Sequence, residues 1–180
     1  MMTKKIAFGL IGALLISFAF TLPCRTKHKV SGTVMRVRAY CGGARMPEDR
    51  LNELKKPKLY AGKKLFVKKG KFNDLKKKAL LEFVSDSAGH FSFALQPGVY
   101  CIVDEYKNDK SNYEKMLLQY KEETKNYSAI SPACLKEWFK TPDLVFEVKG
   151  AVQDSLKVTF HDKCAWNTVP CVTYRGALPQ

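Results

Sequence analysis

The chain has 180 residues, 46% of them hydrophobic, with 31 Lys and Arg against 17 Asp and Glu for a formal charge of +14. That length supports one domain with a real core, and it contains no internal repeat, low-complexity linker or second domain. So positive a chain attracts anions such as phospholipid head groups, lipid A phosphates, acidic polysaccharide or nucleic acid, which is a statement about partners and not about fold.

Met1 to Lys5 carry two lysines, and Ile6 to Phe20 then run fifteen residues without a charge before Thr21-Leu22-Pro23-Cys24. A run this short reads as an export signal over residues 1–23 rather than a membrane span, leaving a single domain over 24–180. Two processing outcomes stay open. Ser17-Phe18-Ala19 suits ordinary signal peptidase, whereas Cys24, directly after the apolar run, suits lipidation, although Thr21 and Pro23 fit a bacterial lipobox poorly. The expectation is an exported protein, periplasmic or outer-membrane-associated, lipid-anchored through Cys24. Without Lys4 and Lys5 the balance is 29 basic to 17 acidic residues, or +12.

Lys29 to Cys41 reads as the first strand, with Val30 and Val34 in one parity and Met35, Val37 and Ala39 in the other. The change of parity at Val34-Met35 predicts a bulge or a strand passing between sheets. Pro47 to Lys56 reads as a short helix, with Pro in the first turn, Glu48 and Asp49 at its positive end and Lys55 and Lys56 at its negative end. Gly62 to Gly70 gives a second strand with Leu65 and Val67 inward.

Eleven lysines crowd this region: Lys55, Lys56, Lys58, Lys63, Lys64, Lys68, Lys69, Lys71, Lys76, Lys77 and Lys78, with Asp74 the single acid. They form either an anion-binding surface, an anionic membrane included, or the solvated faces and edges that keep strands from pairing with neighbours. Nucleic acid is not an expected partner, because the protein is exported and the band holds no arginine and only Tyr60, Phe66 and Phe72 as aromatics.

Ala79 to Val84 begins the most informative stretch, which gives three strands broken by two turns. Asp86 to Gly89 offers side chains that bond their own backbone and a Gly free to take positive φ, and Gln96-Pro97-Gly98 makes a second turn. Phe91, Phe93 and Leu95 alternate with Ser92 and Ala94, and Val99, Cys101 and Val103 with Tyr100 and Ile102, as half-buried strands do.

After Asp104 the period becomes helical. Ser111-Asn112-Tyr113-Glu114 matches a capping box for a helix over 112–126, and Ser131-Pro132 opens a shorter helix bearing Cys134, Leu135, Trp138 and Phe139. Leu144 to Lys149 and Leu156 to His161 close the domain as strands, ahead of a Cys-containing tail. The expected fold is mainly β, a seven-stranded two-sheet sandwich with a two-helix insertion over 107–140.

Export makes the cysteines a disulfide framework. Cys101, mid-strand, reads as a buried thiol. Cys41, Cys134, Cys164 and Cys171 allow three connectivities, and pairing Cys134 with Cys164 and Cys41 with Cys171 would tie both insertion and tail to the sandwich.

Ser85-Asp86-Ser87-Ala88-Gly89-His90-Phe91 followed by Leu95-Gln96-Pro97-Gly98-Val99-Tyr100, with Val30-Ser31-Gly32-Thr33-Val34 ahead of them, resembles the carboxypeptidase regulatory-like domains, and Tyr40-Cys41-Gly42-Gly43 with Val169-Pro170-Cys171 resembles segments of small uncharacterised exported proteins of Bacteroidota. Ser85 stands where Thr is usual. The resemblance covers about half of the mature chain and implies a transthyretin-like (prealbumin-like) sandwich, a binding or spacer role and no catalytic residues.

The side chains agree that no known chemistry is encoded. There is no zinc signature, nucleophile elbow, phosphate loop or CxxC pair. His161, Cys164 and Cys171 are the one set that suggests a soft metal, against a simpler reading as a strand-end His beside a disulfide. Tyr113, Tyr120, Tyr127, Trp138, Phe139 and Trp166 suit either a sugar-stacking platform or the packed side of the insertion. The expectation is therefore a non-enzymatic envelope module that binds or scaffolds an envelope protein or glycan, without metal or cofactor. A carbohydrate-binding module and a thiol or metal protein stand as alternatives.

Overall fold

A computed structural model of the chain describes residues 26–42 and 45–178; the expected export signal over 1–23 and the lipidation candidate Cys24 lie outside them. Four strands, β1 (His28–Val37), β2 (Lys58–Leu59), β5 (His90–Leu95) and β8 (Gln153–His161), form one sheet, and β3 (Lys64–Lys69), β4 (Leu81–Val84), β6 (Gly98–Asp104) and β7 (Leu144–Val148) form the other. The fold is mainly β. Seven of these eight strands match the expected ones, and β2, only two residues long, has no hydrophobic pattern to announce it.

One apolar cluster joins the two sheets. Val30, Val34, Phe91, Leu95 and Val158 from the first sheet pack with Leu65, Val67, Tyr100, Ile102, Phe146 and Val148 from the second. Alternation along each strand puts these residues on one face. The opposite face of β3 and β6 is also covered, which buries Phe66, Cys101 and Val103 in a separate cluster and leaves both strands central.

The first strand stays in one sheet and ends at Val37, short of Cys41. The expected irregularity lies elsewhere: opposite Val30 and Gly32, β8 offers Gln153 and Leu156, so the extra residue is on β8, where Ser155 takes φ 65°. The register then runs evenly in parallel to Val37 and His161.

The turns flanking β5 do identifiable work. Asp86 Oδ1 accepts from the Ala88 and His90 amides, and Gly89, at φ +72°, lets the chain pass against the Tyr60 amide and the Val34 carbonyl. The Ser85 hydroxyl donates to the Tyr60 carbonyl at 2.6 Å and accepts from the Lys63 amide at 2.9 Å, a pair of bonds that needs only the Cβ hydroxyl that Ser and Thr share. The Tyr100 hydroxyl folds back to donate to the Gln96 carbonyl of its own turn.

Among the described residues there are also four α-helices: α1 (Glu48–Lys55), α2 (Glu105–Asn108), α3 (Lys110–Gln119) and α4 (Pro132–Lys140). The insertion between β6 and β7 thus holds three helices rather than two. Asp104 caps α2, and Asp109, not Ser111, caps α3, its carboxylate accepting from both the Ser111 amide and hydroxyl. Helix α3 stops at Gln119 instead of running to residue 126, because the Tyr120 carbonyl accepts from Ile130 and the Asn126 carbonyl from Arg175. Ser131 caps α4 as its spacing indicates. A second core of Met116, Ile130, Leu135 and Phe139 holds the insertion together.

Candidate functional site

The disulfides join Cys41 to Cys164 and Cys134 to Cys171, which corrects the expected pairing. Parallel strands end together, so β1 and β8 leave the sheet side by side at Val37 and His161 and bring Cys41 to Cys164. The tail then runs back along the insertion, with Ser128 donating to Thr173 and Ser131 to Cys171, which puts Cys171 beside Cys134. Cys101 is a buried free thiol, as expected. With Cys164 and Cys171 oxidised to different partners, the soft-metal set of His161, Cys164 and Cys171 does not assemble. Among the described residues no group of three His, Cys, Asp or Glu is placed to hold a metal.

The aromatics of the insertion are largely occupied with one another. Phe139 is buried, with Tyr113 edge-on at 5.4 Å and Trp138 at 5.0 Å, while Tyr127 sits 5.2 Å from Tyr174. Lys107 lies 4.8 Å over the Trp138 ring and is itself buried, donating to Asp143 and to the Thr141 carbonyl. Trp166 is half-buried in a short 3₁₀ turn over 165–167.

A cleft along the first sheet gathers Ser31, Asp86, His90, Ser92 and Ser155. These residue types suggest hydrolysis, but the Asp86 carboxylate is engaged by turn amides, and no side-chain hydrogen bond links the set.

The lysine band divides. Lys55, Lys56 and Lys58 are exposed on or just after α1, and Lys56 pairs with Glu53. Lys63 pairs with Asp104 at 3.2 Å and Lys64 with Glu82 at 2.9 Å, so these two belong to the sheet's own charge balance. Lys78 is exposed in the following loop. Lys68 is not a surface residue at all: it is 2% exposed, and its ammonium donates to the Asp74 carbonyl at 3.3 Å.

Burial pushes the Lys68 ammonium below the usual lysine range, while Cys101 and Asp74 pull the other way. An amine with a depressed folded value binds fewer protons folded than unfolded, so its contribution to stability rises with pH from the folded value up to about 10.4. Lys68→Met keeps the stem and removes the amine; it is expected to gain about 1–2 kcal/mol at neutral pH and to flatten that alkaline rise. Thermal melts of both proteins from pH 7 to 10 measure it, and a less stable Met variant would show that the amine is a net stabilising partner.

Lys69, Lys71, Lys76 and Lys77 line a groove of about 540 Å³ that the sequence does not announce. Lys110, Lys136 and Lys140, from α3 and α4, complete its rim, although they lie 33 or more positions further along the chain. Phe72, Leu75, Tyr113 and Phe139 supply its apolar surface. Phe72 is 57% exposed, with the Lys140 ammonium 4.8 Å over its ring. Asp74 is the only acid lining the groove, 3.7 Å from Lys77. Among the described residues Lys69, Lys71, Lys76 and Lys136 make no ion pair.

Asn73 fixes the groove's wall. Its amide donates to the Lys140 carbonyl, and its side-chain amide to the Lys107 and Phe139 carbonyls, both at 2.8 Å, so one residue binds the 70–80 segment to α2 and α4. Its Oδ1 is buried without a donor, a cost of about 1–3 kcal/mol. Asn73→Ala is expected to lose about 2–3 kcal/mol through the two orphaned carbonyls, read as a lower denaturant midpoint. An unchanged midpoint would show that water serves those carbonyls equally well.

No protein-family model and no curated protein matches the chain. Among solved structures it is similar to the Bacillus anthracis TIE protein, at 10% identity and a TM-score of 0.26, over 74% of this chain and 17% of that one. A likeness that low says nothing about function, and the site stands on its own geometry.

Proposed function

We propose that the protein is a non-enzymatic, exported module of the cell envelope. In this reading it is a transthyretin-like β-sandwich of the carboxypeptidase regulatory-like kind, anchored through a lipidated Cys24, which binds an anionic envelope component on the face of its insertion. The observation that carries the reading is the groove: seven lysines around an apolar floor, of which Lys77, Lys110 and Lys140 are ion-paired and the other four, among the described residues, are not. Clustered cations without a neighbouring counter-charge focus a positive field and raise the local concentration of anions. The two disulfides support an oxidising compartment. The turn residues that carry the family resemblance are engaged in backbone bonds, consistent with a structural rather than catalytic role.

The mature chain is expected to sediment with phosphatidylglycerol vesicles and not with phosphatidylcholine vesicles, and to be released by salt. Changing Lys71, Lys76 and Lys136 together to Glu should weaken that binding at least about tenfold. Equal affinity for both vesicles would overturn the reading. So would turnover of a peptidase, esterase or glycosidase substrate that a single side-chain replacement abolishes.

A further inference from the structure

The groove's charge and its floor ask for different things of a ligand. Of the seven lysines three are paired, with Asp74, Glu114 and Glu137, so four ammoniums still call for negative charge, whereas Phe72, Leu75 and Tyr113 offer apolar surface that a polysaccharide or other plain polyanion leaves unused. An uncharged apolar segment has the opposite defect, since it would strip water from ammoniums and return no counter-charge. A molecule with one acyl chain and one anionic end satisfies both. The volume, about 540 Å³, falls within the range of about 300–1,000 Å³ typical of small-molecule sites. Lysine stems suit the same task, since they lie along apolar surface and deliver the charge at its edge. Phe72 shows the pattern within the protein itself, an exposed ring already capped by the Lys140 ammonium.

We infer that this groove is a binding site for a single-chain anionic amphiphile, the acyl chain lying on Phe72, Leu75 and Tyr113 and the carboxylate or phosphate end held by Lys71, Lys76 and Lys136. The inference rests on the anion-binding reading above and adds what the anion is attached to.

The test uses the mature chain as a Cys24→Ser variant, so that no attached lipid competes, and a fluorescent long-chain carboxylate kept below its critical micelle concentration. Saturable one-to-one binding is expected, with palmitate displacing the probe at least about tenfold better than octanoate, hexadecanol or inorganic phosphate. Lysophosphatidylglycerol displacing as well as palmitate would assign recognition to the chain plus any anionic end; palmitate alone would assign it to the free carboxylate, and either result supports the site. Phe72→Ser and Lys136→Glu, both at exposed positions, should each weaken the probe about tenfold. Octanoate and phosphate competing equally with palmitate would overturn the amphiphile and leave the anion-binding reading intact. If the probe fails to bind and phosphatidylglycerol vesicles are also ignored, both readings fall together. Probe binding that neither variant touches would place any such site elsewhere and overturn the inference.

Discussion

Gly32→Ala is expected to cost about 3 kcal/mol, because the new methyl group would land on atoms that cannot move aside. A Cβ at this position would stand 2.3 Å from the Leu156 carbonyl oxygen and 2.8 Å from both Leu156 Cβ and Phe91 Cζ. Two of these belong to the parallel partner β8, next to the irregularity at Ser155, and the third to a core ring. Relief would mean separating β1 from β8 and losing the register that brings Cys41 to Cys164. The change should appear as a fall in melting temperature of roughly 6–12 °C. A variant within a degree of the parent would show that the β1–β8 contact is looser than described. The glycine in Val30-Ser31-Gly32-Thr33-Val34 is thus a close-approach glycine and not a turn glycine.

Reduction of the two disulfides is expected to have the other large effect. Cys41–Cys164 spans 123 positions and Cys134–Cys171 spans 37. Restricting the unfolded chain over loops of these lengths contributes in principle about 5 and about 4 kcal/mol, of which about 2–4 kcal/mol each is commonly realised. The two should also differ in kind. Opening Cys41–Cys164 leaves in place the β1–β8 ladder and the ion pair in which Arg36 Nε–H is shared by both Asp162 carboxylate oxygens, so the sheet should persist at lower stability. Opening Cys134–Cys171 leaves the tail held by backbone bonds, the Tyr127–Tyr174 ring contact, the Arg175–Glu123 ion pair and Val169 and Val172 against the insertion core, so backbone amides over 126–135 and 171–175 should exchange faster while β6 and β7 keep their protection. An unchanged melt in strong reductant, with reduction confirmed by mass, contradicts the framework; uniform loss of protection with Cys134→Ser/Cys171→Ser contradicts the division of labour.

What was legible in the sequence was what neighbouring residues decide among themselves. The turns at Asp86–Gly89 and Gln96–Gly98, the Ser131 cap and the buried Cys101 thiol each depend on side chains within a few positions, and each stands as expected. The pattern failed where distant partners compete for the backbone. Tyr113, Met116, Leu117, Tyr120 and Tyr127 keep helical spacing past the true end of α3, yet Tyr127 bridges to Tyr174 and turns the chain instead. Asp109, one residue ahead of the helix, outcompetes Ser111 as its cap because its carboxylate reaches both the amide and the hydroxyl of Ser111. The disulfide pairing followed from a parallel β1–β8 register that no local pattern encodes. Lys68 reads as surface until both faces of β3 are known to be covered. Half of the candidate site shared this fate: the lysine band pointed to one rim of the groove, but Lys110, Lys136 and Lys140 come from helices with their own reasons to be charged.

The account's central claim is that the anionic partner is met at this groove and not by the lysine band as a whole. Hydrogen–deuterium exchange on the mature protein, with and without saturating phosphatidylglycerol vesicles at low salt, tests it most directly. The account predicts new protection over residues 69–77, 110–116 and 136–140, with none over 55–64. Protection centred on residues 55–64, or spread evenly over the lysine-bearing segments, would contradict it.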